Sequence, residues 1–525
     1  MGVDFDAIII GSGHNGLACA LILAKAGWKV AVLEKADIPG GASKSAEITQ
    51  KGFIHDLYAT NIGSFLGGPF YREFGQDMHR HGFSTVFADK PFANVFPDGT
   101  GVGVYKDEEK TNTAFKNISE SDYHAWQQLK QDFDATVPQM VPLMEMELPS
   151  WQAGKQLIKM YRTLKFKRTM ELGSLILQSP REFVESRFES EKIRALFVPW
   201  AFHLDFGPDV SNGAVFPYIE VISNHRNGMG FTKGGISHLI GSLIAAIKEH
   251  NGQILLGKSV DQILIKNNKA VGVRLSDGQE LYAKRVVIGN ITPTQLITRL
   301  LKKEQLPSQY VQKAENYRYG PGTMMIHLAL DDKLQWKAGE EFSSFAYVHI
   351  GPYINDIAKT YVEATNGLLP ESPMLVVGQQ SVIDTSRAPE GKQTLWVQVR
   401  ALPAKSKGDA ANQIQPATWD SMKGQYADRV IDKLAQYAPN VKGIILDRKV
   451  LSPMDLQNDN PNLVGGDSVG GSHHLFQYYI FRPIPGYSRY NTPIDRLYLC
   501  GAATWPGGGL NGTSGYLLAK KLLRK

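Results

Sequence analysis

The chain has 525 residues, 43% of them hydrophobic and 21% charged, which describes an ordinary globular protein long enough for two or three structural units. Its net charge of +6 is a mild basic bias, far from a nucleic-acid-binding composition, and no zinc-finger spacing, aromatic RNA motif or basic recognition helix appears. The two cysteines, Cys19 and Cys500, lie almost a full chain apart, which argues against a dithiol catalyst and a stapled secreted fold.

An apolar strand, DFDAIII, begins after only three residues, leaving no room for a signal peptide. No apolar run reaches the eighteen or so residues of a membrane span. The expected location is the cytoplasm, at most peripheral at the inner face of a membrane. The strand runs into Gly11-Ser12-Gly13-His14-Asn15-Gly16, a helix to about Ala26, and a second strand, Lys29 to Leu33, ending in Glu34. Gly11 permits the tight turn, Gly13 lets a pyrophosphate approach the backbone, and Gly16 lets helix and strand pack closely. The helix N-terminus supplies amide donors and a favourable dipole, and Glu34 can accept from an adenosine ribose. His14, Asn15 and Lys35 belong to the same set. The motif does not choose between NAD and FAD, but an acid at position 34 argues against NADP. A second glycine pair, Gly40-Gly41, with Ala42 and Ser43, lets the chain turn back along the cofactor, an extended grip expected of FAD.

Residues 155–170, KQLIKMYRTLKFKRTM, hold six basic residues, no acidic one, and interleaved apolar side chains. As a helix this is either a basic interfacial segment that docks on anionic lipid or a solvated helix packed on its own domain. His203 and Asp205, with His225 and Arg226, form a polar cluster inside apolar sequence that either lines a cavity or satisfies itself.

Lys233, before Gly234-Gly235, is a candidate for chemistry at the ring, with a solvated turn lysine as the alternative. A helix from Ile236 to His250 follows, closed by Asn251-Gly252, and then four short strands with hairpin turns at Asn267-Asn268 and Asp277-Gly278. They suggest a small sheet inserted in a doubly wound domain, with Val260 and Asn290 as cofactor-side candidates. His473, His474, Tyr478 and Arg482 precede the last block by about one strand, and a histidine is the natural proton carrier near neutral pH. The last block, LYLCGAATWPGGGLNGTSG, holds six glycines in nineteen residues. Gly501, Ala502, Gly508, Gly509 and Leu510 there bring bare backbone to a flat polar edge, and a helix starting near Asn511 points its N-terminus at that edge.

These blocks, in order, resemble the bacterial phytoene desaturase-like flavoproteins. The resemblance is strongest to the flavin-type β-carotene ketolases and their animal relative, pyridine nucleotide-disulphide oxidoreductase domain-containing protein two. The matching stretches are IIIGSGHNGLACALILAKAGWKVAVLEKADIPGGA, the KGG of FTKGGISHL, QTLWVQV, YADRVIDKLAQYAPN and RYNTPIDRLYLCGAATWPGGG, so the resemblance covers most of the chain. It implies one non-covalent FAD, and an α/β fold whose Rossmann-like FAD-binding domain is interleaved with an α+β substrate domain. It also implies a redox reaction on a hydrophobic, often polyene, substrate. Two departures stand out: Ala42-Ser43-Lys44 where many relatives have Arg, and a glycine-rich stretch at 465–486 with an extra histidine.

The expected FAD-binding segments are 1–75, 228–300 and 480–525, with the substrate domain from 76–227 and 301–479. The expected activity moves a hydride from a long apolar, carotenoid-like substrate to flavin N5, with oxygen or a quinone as final acceptor. Lys233, His473, His474 and Arg482 are the catalytic candidates, and no metal site is expected. The alternatives are oxidation of a non-carotenoid lipid or amine, and a flavin-bearing scaffold without turnover. An aromatic cage beside the flavin would favour the amine; a long apolar tunnel would favour a polyene. The expected partners are a small apolar substrate and a membrane surface contacted through 155–170, without nucleic acid; homo-oligomerisation is left open.

Overall fold

The apolar run at the N-terminus becomes strand β1 (Asp4–Ile10), with Ala7, Ile8 and Ile9 fully buried, in a computed structural model that describes residues 4–524. Helix α1 (His14–Lys25) and strand β2 (Val30–Leu33) follow; β2 and the Ala7–Ile10 half of β1 are apolar throughout, as expected of strands buried on both faces of a sheet. Strands β3 (Gln253–Leu255), β4 (Val260–Lys266), β5 (Lys269–Leu275), β6 (Glu280–Gly289) and β7 (Leu497–Leu499) complete a seven-stranded sheet. The order is β4-β5-β6-β1-β2-β3, with β7 also on β6.

The four strands after Gly252 are therefore not an inserted sheet of their own. β3 pairs with β2 at one edge, and β4 and β5 extend the other. The cause is the length and composition of β6. Its first half pairs antiparallel with β5, while its buried second half, Val286–Gly289, runs parallel to both β1 and β7.

A second seven-stranded sheet is built from strands at Phe92–Val95, Gly101–Val104, Gly322–Leu330, Tyr347–Ile350, Leu375–Gly378, Gln393–Leu402 and Ile445–Leu451. In Gln393–Leu402 the period-two alternation of a strand sorts side chains to opposite faces. Leu395, Val397 and Val399 join a core with Met324, Ile326 and Tyr426, while Trp396, Gln398 and Arg400 face the other way. Short strands at Thr85–Ala88 and Met229–Thr232 pair with each other.

Helix α2 (Trp151–Leu177) is capped by Ser150, whose hydroxyl accepts from the Ala153 amide, and it is interrupted at Lys165, where φ is 61°. It buries Ala153, Gln156, Leu164, Leu172 and Leu175 and leaves its other side to solvent. Among the described residues no helix is long and apolar enough to cross a membrane.

Candidate active site

The strand registers bring the site together. Ile10 pairs with Leu33 and with Gly289, and Gly289 pairs with Leu499, so four parallel strands end level. Gly11, Glu34, Asn290 and Cys500-Gly501 follow those ends, at the carboxyl edge where open α/β sheets bind ligands. Asn290 ties them together, its Nδ2 donating to Gly11 O and Gly13 O. Gly501 needs its freedom: φ is +112°, and a Cβ there would sit 2.5 Å from Asn290 Oδ1.

A cavity of about 340 Å³ opens along this edge. Gly11, Gly13, His14, Asn15, Glu34, Lys35, Gly41, Ala42, Ser43, Val260, Asn290, Gly501, Ala502, Gly508, Gly509 and Leu510 all line it. Of the cofactor candidates, Gly16 and Gly40 stand behind the wall instead. A Cβ on Gly16 would lie 2.7 Å from Gly11 O, so it serves close packing, and the Gly40 amide donates to Ser12 Oγ.

The lining suits a dinucleotide. The first turn of α1 has no side-chain cap and no acid, which leaves its amides and dipole for an anion. Glu34 is 8% exposed and oriented by Ser12, whose amide and hydroxyl both donate to Oε2 at 3.0 and 2.7 Å. Ser43 Oγ is buried without a partner. Lys44, which the glycine motif did not single out, is also in the wall: it is 5% exposed, with Nζ 3.0 Å from Asp459 Oδ2. Lys258 and Arg299 join Lys35 there. A carboxylate for ribose, free amides and several cations fit the adenosine and pyrophosphate of FAD. Burial lowers His14 to about 4, against a raising contribution from the Gly509 backbone, so this wall residue is neutral at pH 7.

The C-terminal glycines meet the cavity differently from expectation. Gly508, Gly509 and Leu510 line it, but helix α3 (Thr513–Leu523) does not aim its first turn there. Thr513 N donates to Asn511 Oδ1, Gly515 N donates to Asn15 Oδ1, and none of 511–515 is in the wall.

None of the four catalytic candidates lines the cavity. Lys233 is exposed, in a turn tied down by the bond from Gly234 N to Asp384 Oδ2. Arg482 is fully buried and donates to the carbonyls of Gly470, Gly471, Ser472 and Ala502, so it braces two loops from behind. His473 accepts from the Gly508 amide through Nε2, and burial holds it at about 4. His474 stacks on Phe206 and bonds the Asp205 carbonyl. Tyr478 donates to Pro506 O. The polar cluster also separates. His203 lines the cavity, Asp205 accepts from the His473 amide, His225 meets Glu108, and Arg226 pairs with Asp134 outside.

Side chains from the second unit form the far end of the cavity, and sequence reasoning missed most of them. Trp200, Tyr347 and Trp396 make a buried slab. Tyr347 and Trp396 stack at 5.7 Å and 15°, and Trp200 and Tyr347 at 6.3 Å and 24°. Met325, Gln398, Arg400 and Ser468 stand beside them, with Glu220 from the helix Val215–Asn227. Burial pushes Glu220 up to about 7, against the hydrogen bond from Asn224 Nδ2. Burial likewise lowers Arg400 to about 10, which leaves it a cation. The signal for this wall was the polar face Trp396-Gln398-Arg400 within an otherwise apolar strand.

Comparison with known proteins agrees with the geometry. The model of the family described as flavin containing amine oxidoreductase matches residues 16–514. Pyridine nucleotide-disulfide oxidoreductase domain-containing protein 2 of Rattus norvegicus is 25% identical, over 98% of this chain and 92% of its own length. The phytoene desaturase (neurosporene-forming) of Cereibacter sphaeroides is also 25% identical, over 97% and 92%. The fold is that of an oxidoreductase from Methanosarcina mazei, with a TM-score of 0.61 at 18% identity over 99% of this chain and 100% of that one.

Proposed function

Since the chain belongs to the flavin-containing amine oxidoreductase family, and is therefore an FAD-dependent oxidoreductase, we propose that it dehydrogenates a long apolar, carotenoid-like substrate. The observation that carries this reading is the slab of Trp200, Tyr347 and Trp396 in the cavity wall. The three packed rings give an apolar wall for an extended chain. Arg400 in the same wall repels an ammonium. The Cereibacter sphaeroides relative, by name a phytoene desaturase, supports the same class.

Making a carbon–carbon double bond removes two hydrogens from neighbouring carbons, one as hydride and one as proton. Bound FAD supplies the two-electron acceptor that takes the hydride. Gly11, Gly13 and the α1 amides would hold the pyrophosphate, Glu34 the ribose, and the Gly501–Ala502 and Gly508–Leu510 segments the rest of the cofactor. Glu220, the wall carboxylate beside Tyr347, is the base for the proton: burial raises its pKa to about 7, where it can exchange a proton at neutral pH. The slab orients the chain and keeps water from it.

The exposed side of α2 supports a route for such a substrate. Trp151 is 78% exposed and Phe166 68%, and Ile158, Tyr161 and Met170 are all more than half exposed. Lys155, Lys159, Arg162, Lys167 and Arg168 stand among them. Solvated apolar side chains interleaved with cations fit an anionic lipid surface, from which an apolar substrate is collected.

The test is holoenzyme with oxygen or a quinone and liposomes carrying a panel of carotenoids, the products read by mass spectrometry. Loss of two hydrogens is the expected result. An unchanged panel, with the flavin bound and chemically reducible, would sink the polyene reading.

A further inference from the structure

Arg400 is 9% exposed and lines the cavity from the same strand face as Trp396 and Gln398. Its Nε donates to Gln398 Oε1 at 2.6 Å, and its Nη1 to Ser468 Oγ at 3.0 Å and His203 O at 3.3 Å. These three acceptors are neutral, and among the described residues Nη2 has no hydrogen-bond partner and no carboxylate forms an ion pair with the guanidinium. Asp467, whose charge acts on Arg400, instead accepts from the amides of Gly320, Val469 and Gly471. His203 adds no charge, since burial keeps it neutral.

A cation taken out of water with no carboxylate in direct contact is destabilising. The arrangement makes chemical sense if a ligand brings the missing anion. A guanidinium presents a planar fork of donors that matches a carboxylate, and here one edge of that fork is uncommitted. The aromatic slab lines the same cavity and offers a bed for an apolar chain.

We infer that the substrate is an amphipathic acid, a carboxylate on an apolar chain, whose carboxylate seats on Arg400 while the chain lies on Trp200, Tyr347 and Trp396. This rests on the apolar-chain reading above and narrows it. Arg400 is then a specificity-determining residue that also sets which end of the chain enters first. Neutral hydrocarbons and esters leave the guanidinium unpaired and bind more weakly.

The test uses purified holoenzyme and two probes, a polyene monocarboxylic acid and its methyl ester. Binding is followed by quenching of protein fluorescence and by perturbation of the flavin absorption band. The acid is expected to bind about 10- to 100-fold more tightly than the ester, the range of a hydrogen-bonded charge pair. Arg400→Met should abolish that preference, bringing the acid-to-ester affinity ratio to about one, and Arg400→Lys should keep part of it. Flavin content and melting temperature of each variant establish that it is folded. Acid and ester binding equally well would overturn the carboxylate inference and leave the apolar-chain reading standing. If neither long probe binds, benzoate separates the two ideas. A flavin perturbation by benzoate that disappears in Arg400→Met keeps the anion seat and rejects the long chain. No perturbation by any carboxylate rejects both.

Discussion

Arg387 Nη1 donates to Asp56 Oδ2 at 2.7 Å, and both side chains are only 1% exposed. The pair joins segments more than 300 residues apart, and its other bonds reach the backbone around the site. Arg387 also bonds Asp384 and the Thr232 carbonyl, while Asp56 accepts from Ser45, Thr60 and the Ile236 amide. Thr60 and Asn61 line the cavity next to this knot. Replacing Arg387 leaves the buried Asp56 carboxylate without an ion-pair partner, whereas Arg387 without Asp56 still keeps Asp384. Arg387→Met is therefore expected to cost about 3–5 kcal/mol of stability, and the double variant with Asp56→Asn less than Arg387→Met alone. Urea denaturation of the three proteins checks this.

Gly501→Ala should release the cofactor. The substitution adds a Cβ at φ +112° and places it against Asn290 Oδ1, the side chain that ties the cofactor edge together. FAD affinity is expected to fall about tenfold or more, equivalent to about 1.4 kcal/mol. Gly278→Ala is the control: φ there is +83°, nothing lies within 4 Å, and Gly278 itself is not part of the cavity wall. It should retain FAD while showing the same kind of backbone cost. Equal flavin loss in both proteins would refute the steric account.

The proton role of Glu220 predicts a pH profile. Its pKa is raised to about 7 by burial, with Asn224 on its own helix and Tyr347 on the second sheet as its polar neighbours. A base must be deprotonated, so kcat is expected to rise with pH through about 7 and then level off. Glu220→Gln should flatten that limb and lower the plateau about 100-fold or more. Stability moves the other way. The folded protein holds this proton to higher pH than the unfolded chain, so its contribution to stability falls between the ordinary glutamate range, near 4.5, and about 7.

Helix α2 should bring the protein to anionic vesicles. Flotation with phosphatidylglycerol liposomes is expected to recover the wild type, with little recovery on phosphatidylcholine alone or in about 1 M salt. Trp151→Ser with Phe166→Ser should abolish flotation without changing the melting temperature, because both side chains are solvated. Equal recovery on neutral and anionic vesicles would refute the charge part of this account.

The cofactor half of the site was legible in the sequence because its chemistry is local. A glycine at a strand end, two more at fixed spacing and an acid after the next strand already specify a turn, a helix terminus and a ribose acceptor. Lys44 stood out in the sequence only as a departure after the glycine pair; its place in the wall was not legible because its partner, Asp459, lies on a distant segment. The catalytic candidates failed for the complementary reason. Lys233 and His473 sit beside glycine motifs in sequence, but a turn and a fully buried histidine can neighbour a cofactor loop without facing the cavity. The polar face of Trp396, Gln398 and Arg400 was readable as a period of two. That this face met a cavity was not legible, because the residues beside Arg400, His203 and Ser468, come from remote positions.

The pairing of β7 with β6 has a consequence during synthesis. Val287–Gly289 of β6 pair with Leu497–Leu499, so the strand that borders β6 leaves the ribosome some 200 residues after it. Until then the nascent chain exposes an unpaired apolar parallel edge and lacks Gly501 and the Gly508–Leu510 loop. Cofactor loading is therefore expected only after residue 510 has been made, more than 200 residues after β6. Shortage of FAD should then be felt as surplus chaperone-bound, full-length protein rather than as truncated fragments.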